Sequence, residues 1–395
     1  MDKFSRTFGG HIGDPIKDPY SVYAALRRAT PCQLFRDTVF GDMYFVTPYD
    51  AVRQIIGNPE VFSSRVNDRL IGGIIGSTIV GMDEPDHNQM RKLIMPFFTP
   101  RPVGALEDRV REVAFEMIGR LAGRARADLV ADFTFTYPLV VFDRLILGVE
   151  VGDGAAQFHH WVRAFLKITT EPEEAIAAVA LIREYLAPVI AKARRAAGGD
   201  TLVIRLAEAK IDGKSLTDEE IMSFLILLLQ AGAETTSSLL GSAIWHLLDG
   251  YLWQCIQDNP VALDRAFRET LRYDSPVQFV ARETTCEVMV GGVTLPRGSL
   301  VVAALGSANR DPSVFSDPDS FYLLRDLKYW NDTLAFGLGP HYCAGFHLAR
   351  LEFMVALEVL GERFPNLNLD EDMPQEGVVG LPFRAPRSLP VLLGI

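Results

Sequence analysis

The sequence predicts a mainly α-helical protein with small β-sheets. Most of its 395 residues lie in segments whose apolar residues recur every three to four positions, the period of a helix with one buried face. The longest such segment, 215–248, contains the run FLILLLQAGAETTSSLL, which is apolar on nearly all sides and is typical of a helix buried in the interior. Alternation with Thr, Val and Phe predicts short strands between 277 and 302.

The remaining elements follow from local start and stop signals. Gly41-Asp42 separates two short alternating runs, 33–35 and 44–46, which predicts a hairpin. Residues 63–82 carry glycines and scattered isoleucines without a clear period, and this predicts a long irregular loop. The proline spacing of 377–395 predicts short edge strands. Further helices are predicted over 20–28, after Pro48, and over 84–97, 106–121, 133–147, 155–168, 173–195, 261–273 and 344–363.

The composition limits the possible classes of protein. No repeat, low-complexity tract or linker interrupts the chain, so we expect residues 1–395 to form a single domain. The net charge of −11 argues against nucleic acid as a partner, because that role needs a basic face. The N-terminus lacks the apolar core of a signal peptide, and the apolar runs fall short of the roughly 18–20 residues of a membrane span. We therefore expect a cytoplasmic protein without a membrane anchor.

The run FGLGPHYCAG, residues 336–345, is the most informative part of the chain. It places the thiol of Cys343 on a glycine-rich turn directly before a predicted helix. A thiolate there is a good axial ligand for heme iron, because it pushes electron density onto the metal and favours cleavage of the O–O bond. Glycine permits the close backbone approach that a metal ligand needs. The alternative, a small buried hydrophobic residue, suits the other cysteines, Cys32, Cys255 and Cys286, but leaves these glycines unexplained.

Four further motifs accompany this turn in a fixed order: HNQMR at 87–91, AGAETT at 231–236, ETLR at 269–272 and ANRDP at 308–312. With the cysteine turn, which has the form FxxGxxxCxG, they resemble the bacterial soluble class of the cytochrome P450 family over essentially the full chain. The resemblance implies one P450 domain, a triangular, α-rich prism around a buried heme. The implied cofactor is heme b (iron protoporphyrin IX), with the Cys343 thiolate as its axial metal ligand.

The resemblance also implies which residues bind the heme. His87 and Arg91 are four apart and share a helix face, and with Arg282 and His341 they are implied to lie near the propionates. Arginine offers a planar fork to a carboxylate, and charge-assisted bonds of this kind are strong. The other implied cofactor-binding residues are Ala231, Phe336, Gly337, Ala344 and Gly345.

Glu234 and Thr235 are implied to be catalytic. An acid and a hydroxyl in the middle of an apolar buried helix are costly unless they are used. In the family, Thr235 would hold bound oxygen and ordered water, and Glu234 would relay protons from solvent. The alternative for Thr235 is a hydrogen bond to a carbonyl one turn earlier. Glu269 and Arg272 have a structural role, as an ion pair implied to lock to the segment around Arg310.

Family topology implies an apolar substrate pocket, which suits a hydrophobic small molecule. Gln230 departs from the family pattern, since its amide could either orient a polar group of the substrate or bond to a backbone carbonyl. For each pocket residue taken singly, ordinary core packing is the alternative. The implied pocket residues are Ile74, Ile75, Leu227, Gln230, Gln278, Val280 and Phe383.

The implied activity is that of a heme-thiolate monooxygenase in secondary metabolism, hydroxylating or epoxidising a hydrophobic molecule with O2. Electrons are expected from an external ferredoxin and an NAD(P)H-dependent ferredoxin reductase, with Arg91, Lys92 and Arg101 in a basic docking surface. One alternative is the same scaffold carrying out oxidative coupling, cyclisation or desaturation in natural-product biosynthesis. Another is a heme-binding sensor or carrier without turnover, which does not need the proton relay of Glu234 and Thr235.

Overall fold

Helices form most of the structure, a computed structural model that describes residues 3–11, 13–38, 40–148, 155–167, 171–196, 198–199 and 201–394. Within these residues the α-helices are α1 (Lys3–Phe8), α2 (Pro19–Ala29), α3 (Tyr49–Gly57), α4 (Gly73–Ile75), α5 (Asp86–Phe98), α6 (Pro100–Gly104), α7 (Glu107–Gly119), α8 (Thr136–Val141), α9 (Ala155–Phe165), α10 (Pro172–Arg195), α11 (Leu202–Glu208), α12 (Asp218–Asp249), α13 (Trp253–Ile256), α14 (Pro260–Tyr273), α15 (Leu305–Ala308) and α16 (Phe346–Arg363).

The strands are short and form small sheets at the side of the helices. They are β1 (Cys32–Thr38), β2 (Gly41–Val46), β3 (Phe62–Ser63), β4 (Arg126–Asp128), β5 (Lys210–Ile211), β6 (Lys214–Ser215), β7 (Val280–Thr284), β8 (Val288–Val290), β9 (Val293–Leu295), β10 (Leu300–Ala303), β11 (Asn368–Leu369) and β12 (Pro390–Leu392). The described strands pair as one five-stranded sheet (β1-β2-β10-β7-β3), one three-stranded sheet (β11-β12-β4) and two hairpins. In the largest sheet, Arg282 of β7 lies opposite Val301 of β10.

The helix α12 runs through the centre of the largest hydrophobic core. It begins with a capping box, in which Glu220 N–H donates to Thr217 Oγ1 at 3.2 Å and Thr217 N–H donates to Glu220 Oε2 at 2.7 Å. It packs against α8, α10, α14 and α16. Its length and apolar composition would also suit a membrane span, but most of its apolar window is buried inside the protein. This agrees with the core helix predicted from the sequence.

The carboxylate of Glu269 on α14 is the centre of a buried ion cluster. It accepts bonds from the Arg272 guanidinium at 2.8 and 2.9 Å and from the Arg325 guanidinium at 3.0 and 3.2 Å. All three side chains are at most 4% exposed. The guanidinium of Arg272 also donates to three carbonyl oxygens, those of Asn309, Pro318 and Ser320. The cluster therefore joins α14 to the irregular segment that precedes the cysteine turn.

The link implied between this pair and the segment around Arg310 is present, because Arg272 donates to the Asn309 carbonyl at 3.2 Å, and Arg325 is a second cation that the sequence did not predict. The guanidinium of Arg310 itself lies 3.5 Å from the ring centres of both Tyr20 and Tyr273 and donates to the Tyr273 carbonyl at 2.8 Å. Its planar, weakly hydrated charge suits this position between two aromatic rings. Arg310 thus supports the same region by stacking, without contacting Glu269.

The structure corrects two predicted segments. The 63–82 loop contains a π-helical turn at Asp68–Gly72, the short helix α4 and a 3₁₀ turn at Ile79–Gly81, so it is more ordered than predicted. The single helix predicted over 133–147 is three consecutive segments, with α8 between π-helical turns at Val130–Thr134 and Phe142–Leu147.

Other differences concern short elements and the ends of elements. The prediction missed α11, the β5–β6 hairpin and β4, whose residue Ala127 pairs with Val391 of β12 across most of the chain. Of the edge strands predicted over 377–395, the described residues form β12 and isolated bridges that involve Val379 and Phe383. The helix predicted over 155–168 ends at Phe165, and residue 168 lies outside the described residues.

We predict that Glu269→Ala lowers the free energy of unfolding by about 3–5 kcal/mol, because it leaves the buried charges of Arg272 and Arg325 without a counter-ion. Denaturant titration followed by circular dichroism measures this loss. The control is Glu116→Ala, which removes a carboxylate that also contacts two arginines but is largely exposed, and which should cost less than about 1 kcal/mol. Equal losses in the two variants would contradict a dominant role for the buried cluster.

Candidate active site

A cavity of about 850 Å³ lies between α12 and the cysteine turn. Cys343 and Phe336 line it on one side, and Ala231 and Thr235 of α12 line it on the other. None of the described residues that line it is acidic, and most are aliphatic or aromatic. The cavity therefore offers one thiol, a helix with a hydroxyl facing it, and a largely apolar wall.

The backbone of the cysteine turn is folded tightly on itself. The N–H of Cys343 donates to the Phe336 carbonyl at 2.9 Å, and the N–H of Tyr342 donates to the Gly339 carbonyl at 3.0 Å. Gly337 and Gly339 have φ angles of 74° and 71°, in the left-handed region that side chains other than glycine adopt at a cost. These glycines are required by the turn that brings the thiol to the cavity.

The electrostatics at Cys343 balance burial against hydrogen bonding. Burial raises the pKa of the Cys343 thiol, whereas backbone N–H groups of Gly345 and Phe346, at the start of α16, and the positive charge of Arg91 lower it. The net effect is a raised pKa. Backbone N–H groups therefore stabilise a negative charge on the sulfur, and a cation bound next to the sulfur in the cavity would favour the thiolate further.

Basic groups gather at one edge of the cavity without a carboxylate partner. Arg282 and His341 line the cavity, and the ring of His87 lies 4.1 Å from that of His341. Burial lowers the pKa of Arg282 to about 10, and burial together with the charges of Arg282, His87 and Arg91 lowers the pKa of His341 to about 3. Among the described residues, neither Arg282 nor Arg91 has a carboxylate oxygen within 4 Å, and the buried His87 Nδ1 has no hydrogen-bond partner.

The hydroxyl of Thr235 faces the cavity, but Glu234 does not line it. Thr235 Oγ1 donates to the Ala231 carbonyl at 2.7 Å, which is the bond to the preceding turn that the sequence left as an alternative. The Glu234 carboxyl is buried in the protein with Oε2 lacking a partner among the described residues. Burial raises the pKa of Glu234 to about 8, so this carboxyl is mostly protonated at neutral pH.

Five of the seven implied pocket residues line the cavity, namely Ile74, Leu227, Gln230, Val280 and Phe383. The other two are corrections. Ile75 is 1% exposed and packs in the main hydrophobic core, because it lies on the inner side of α4. Gln278 is fully buried, and its amide donates to Tyr20 Oη at 3.2 Å and to the Ser275 carbonyl at 2.8 Å, so it is used within the protein.

Of the implied heme-binding residues, Ala344, Gly345, His87 and Arg91 stand next to the cavity without lining it. Several further residues line the cavity that were not named individually from the sequence. Four of them, Asn67, Leu70, Ile71 and Val80, belong to the segment 63–82, which family topology implies at the pocket, and Thr236 and Leu239 continue the cavity face of α12. The unusual loop length was the available signal for the first group, and the helical period was the signal for the second.

The chain is similar in sequence to proteins of one known family. Residues 252–377 match the family model described as Cytochrome P450. The chain is 36% identical over 369 residues to cytochrome P450 107B1 of Saccharopolyspora erythraea, covering 89% of each chain. The chain belongs to the cytochrome P450 family. It is also similar to the cytochrome P450 monooxygenase PikC of Streptomyces venezuelae, with 33% identity over 91% of this chain and 88% of the relative.

The fold of this P450 agrees with its sequence relatives. The solved structure of CYP109E1 from Bacillus megaterium in complex with testosterone is 29% identical and covers 96% of this chain and 98% of that one, with a TM-score of 0.85. The predicted P450 fold is therefore confirmed, and the protein is an oxidoreductase of the monooxygenase type. Membership in the family implies a heme-thiolate cofactor.

The residues around the cavity fit a heme. A dianionic group would supply the negative charge that the Arg282, His341, His87 and Arg91 edge lacks, and it would offer an acceptor near the buried His87 Nδ1. The thiol of Cys343 faces the same cavity with N–H donors behind it. The four basic residues would hold the propionates, and Cys343 would hold the iron. The role of each residue is a prediction.

We predict that Cys343→Ala loses the thiolate signature in the absorption spectrum of the reduced, CO-bound protein, because no other described cysteine faces the cavity. Far-ultraviolet circular dichroism should show that the helices remain. The control is Cys286→Ala, which removes an exposed thiol and should leave the CO spectrum unchanged. A thiolate-type spectrum retained in Cys343→Ala would contradict the assignment of the ligand.

Proposed function

We propose that this P450 hydroxylates or epoxidises a hydrophobic small molecule in secondary metabolism, using O2 and electrons from an external ferredoxin and its NAD(P)H-dependent reductase in the cytoplasm. The observation that carries the proposal is the cavity, whose wall is largely aliphatic and whose thiol faces the Thr235 hydroxyl of α12. The testosterone complex of CYP109E1 supports a neutral, mainly hydrocarbon substrate, and the name of PksS, a polyketide biosynthesis cytochrome P450 of Bacillus subtilis, supports a role in secondary metabolism.

The chain contributes binding, proton handling and exclusion of water. Heme bound through a thiolate supplies the oxygen activation that inserts one oxygen atom into a substrate. Cys343 would hold the iron, and the basic edge around Arg282 and His341 would hold the carboxylates. The Thr235 hydroxyl can exchange its bond to the Ala231 carbonyl for a bond to an oxygen atom in the cavity, and the neighbouring Glu234 carboxyl keeps a proton at neutral pH.

Coupling, cyclisation and desaturation are the alternative outcomes of the same site. They would use the same cavity and the same Cys343 ligand, so product analysis with isotopically labelled O2 separates them from oxygen insertion. A sensor or carrier without turnover is less well supported, because a protonated buried carboxyl next to a cavity hydroxyl is costly to keep without a role in proton transfer.

We predict that Thr235→Ala consumes NAD(P)H at a comparable rate but forms several-fold less product per NAD(P)H, because the cavity loses a hydroxyl that would hold and direct a proton there. Product and peroxide are measured against NAD(P)H consumed. Ser237→Ala, which removes a hydroxyl elsewhere on α12, should keep the coupling of the unaltered protein. Unchanged coupling in Thr235→Ala would exclude this role.

One of the three cations proposed for the ferredoxin docking surface, Arg91, is bonded to the cysteine turn. Its guanidinium donates to the Tyr342 carbonyl at 2.6 Å, so this arginine supports the cysteine turn. Lys92 on α5 and Arg101 on α6 are exposed, and both helices lie close to α16. Among the residues that the structure describes, these two side chains form no ion pair, so they supply the positive charge of the predicted surface.

We predict that Lys92→Glu raises the KM for a generic acidic ferredoxin several-fold, with a weaker effect at high salt, because electrostatic attraction at a protein surface is screened by ions. Turnover is measured against ferredoxin concentration at two ionic strengths. Lys17→Glu makes the same charge change at an exposed position before α2 and serves as the control. Equal effects of the two variants would argue against docking at α5.

A further inference from the structure

The polar side chains that line the cavity are, with few exceptions, already bonded to protein. Thr235 bonds to the Ala231 carbonyl, and Asn67 Nδ2 donates to the carbonyls of Ser64 and Val80 at 3.0 Å each. Arg282 donates to the Ala281 carbonyl at 2.8 Å. The rings of His341 and His11 form hydrogen bonds with the hydroxyls of Ser64 at 3.0 Å and Ser5 at 2.9 Å. Two lining residues have no hydrogen-bond partner for their side-chain polar atoms among the described residues, Thr236 and Gln230.

The two differ in what they can reach. Thr236 is 3% exposed, so its short side chain is enclosed beside the helix. Gln230 is half-buried and carries a long side chain with two donors and an acceptor at the cavity wall. The bond to a backbone carbonyl, which the sequence left open for Gln230, is not formed to any described residue. An amide in an apolar wall costs free energy unless a partner satisfies it, so this position calls for a partner inside the cavity.

The position of Gln230 on α12 limits where that partner lies. Gln230 shares the cavity face with Leu227, Ala231 and Thr235. It precedes Thr235 by five residues, which corresponds to roughly 7.5 Å along the helix axis. A substrate group bonded to Gln230 is therefore held more than one helical turn from the hydroxyl that faces the site of oxidation.

The charges of the cavity limit what that partner is. The lining contains no acidic residue among the described ones, and the Arg282 cation lies next to His341 at the edge that suits the heme carboxylates. A charged group next to Gln230 would find no counter-ion on α12. A neutral oxygen, which an amide can bind as donor or as acceptor, matches the site.

We propose that Gln230 is a specificity-determining residue that binds a single ketone, lactone or hydroxyl oxygen of an otherwise hydrocarbon substrate and so fixes which carbon faces the oxidant. This inference rests on the function proposed above. It assigns the substrate to neutral oxygenated hydrocarbons, whereas a free fatty acid would lack a partner for its carboxylate.

The test compares cyclododecanone and cyclopentadecanone with the matched cycloalkanes, and with dodecanoate, as ligands of the heme-loaded protein. Affinity is measured by the shift of the heme absorption band and, separately, by calorimetry. One hydrogen bond predicts that the unaltered protein binds the ketones about 3- to 10-fold more tightly than the cycloalkanes. Gln230→Met, which keeps the side-chain length without the amide, should bind both kinds equally.

The control is Leu227→Met on the same helix face, which should retain the preference for ketones. With a ferredoxin system, the unaltered protein should give one main product from a ketone and Gln230→Met should give several. Equal binding of ketone and cycloalkane by the unaltered protein, a preference that survives in Gln230→Met, or tighter binding of dodecanoate would overturn the proposal. Binding without any product would count against the proposed function alone, because the ligand preference is measured independently of turnover.

Discussion

The buried carboxylate of Glu269 is the constraint on which the position of the cysteine turn depends. It pairs with both Arg272 and Arg325, and Arg272 in turn donates to the Asn309 carbonyl. The side chain of Asn309 then accepts the N–H of Leu334 at 2.8 Å, and the Leu334 carbonyl accepts the N–H of Gly337 at 2.9 Å. The bonds from Arg272 to Asn309 and from Leu334 to Asn309 are buried, so the ion cluster and the thiol-bearing turn are joined by a continuous series of hydrogen bonds. A P450 needs rigidity here because a metal ligand must keep its direction while the rest of the cavity adapts to a substrate.

The strand β7 performs a second positioning task through the alternation of its side chains. Arg282 points to the cavity, where it joins the basic edge, and its neighbour Glu283 pairs with the Arg69 guanidinium in the turn Asp68–Gly72. That turn supplies Leu70 and Ile71 to the cavity wall. Because neighbouring residues of a strand face opposite sides, one short strand fixes both the charged edge and the apolar loop. The ion pair at Arg69 is largely exposed, which makes it the weaker of the two attachments.

The sequence predicted those parts whose information is local. Three predictions agree with the structure: the buried helix α12, the Glu269–Arg272 pair on α14 and the glycine-rich turn before Cys343. Each depends only on residues close in the sequence, through helical period, pairing of residues i and i+3, and the backbone conformation of single glycines. Arg325 was missed because its partner Glu269 lies 56 residues away and no motif marks the contact. The strand β4 was missed for the same reason, as its pairing with β12 is set by the tertiary fold. The short helices of 63–82 were hidden because their apolar residues divide between the cavity and the core, so that no single buried face shows in the sequence.

Two glutamines show why substrate recognition was the least predictable part. Gln230 and Gln278 were both expected at the pocket, and both follow apolar or small residues in segments that reach it. The amide of Gln278 is enclosed by Tyr20, Tyr23 and Ser275, so its polarity serves the packing of the N-terminal region against α14. The amide of Gln230 has no such enclosure, because Gln230 lies in the cavity wall next to Ala231, whose methyl side chain is small. Whether a polar residue is structural or available to a ligand depends on its neighbours in space, and two residues of one type differ here only in that respect.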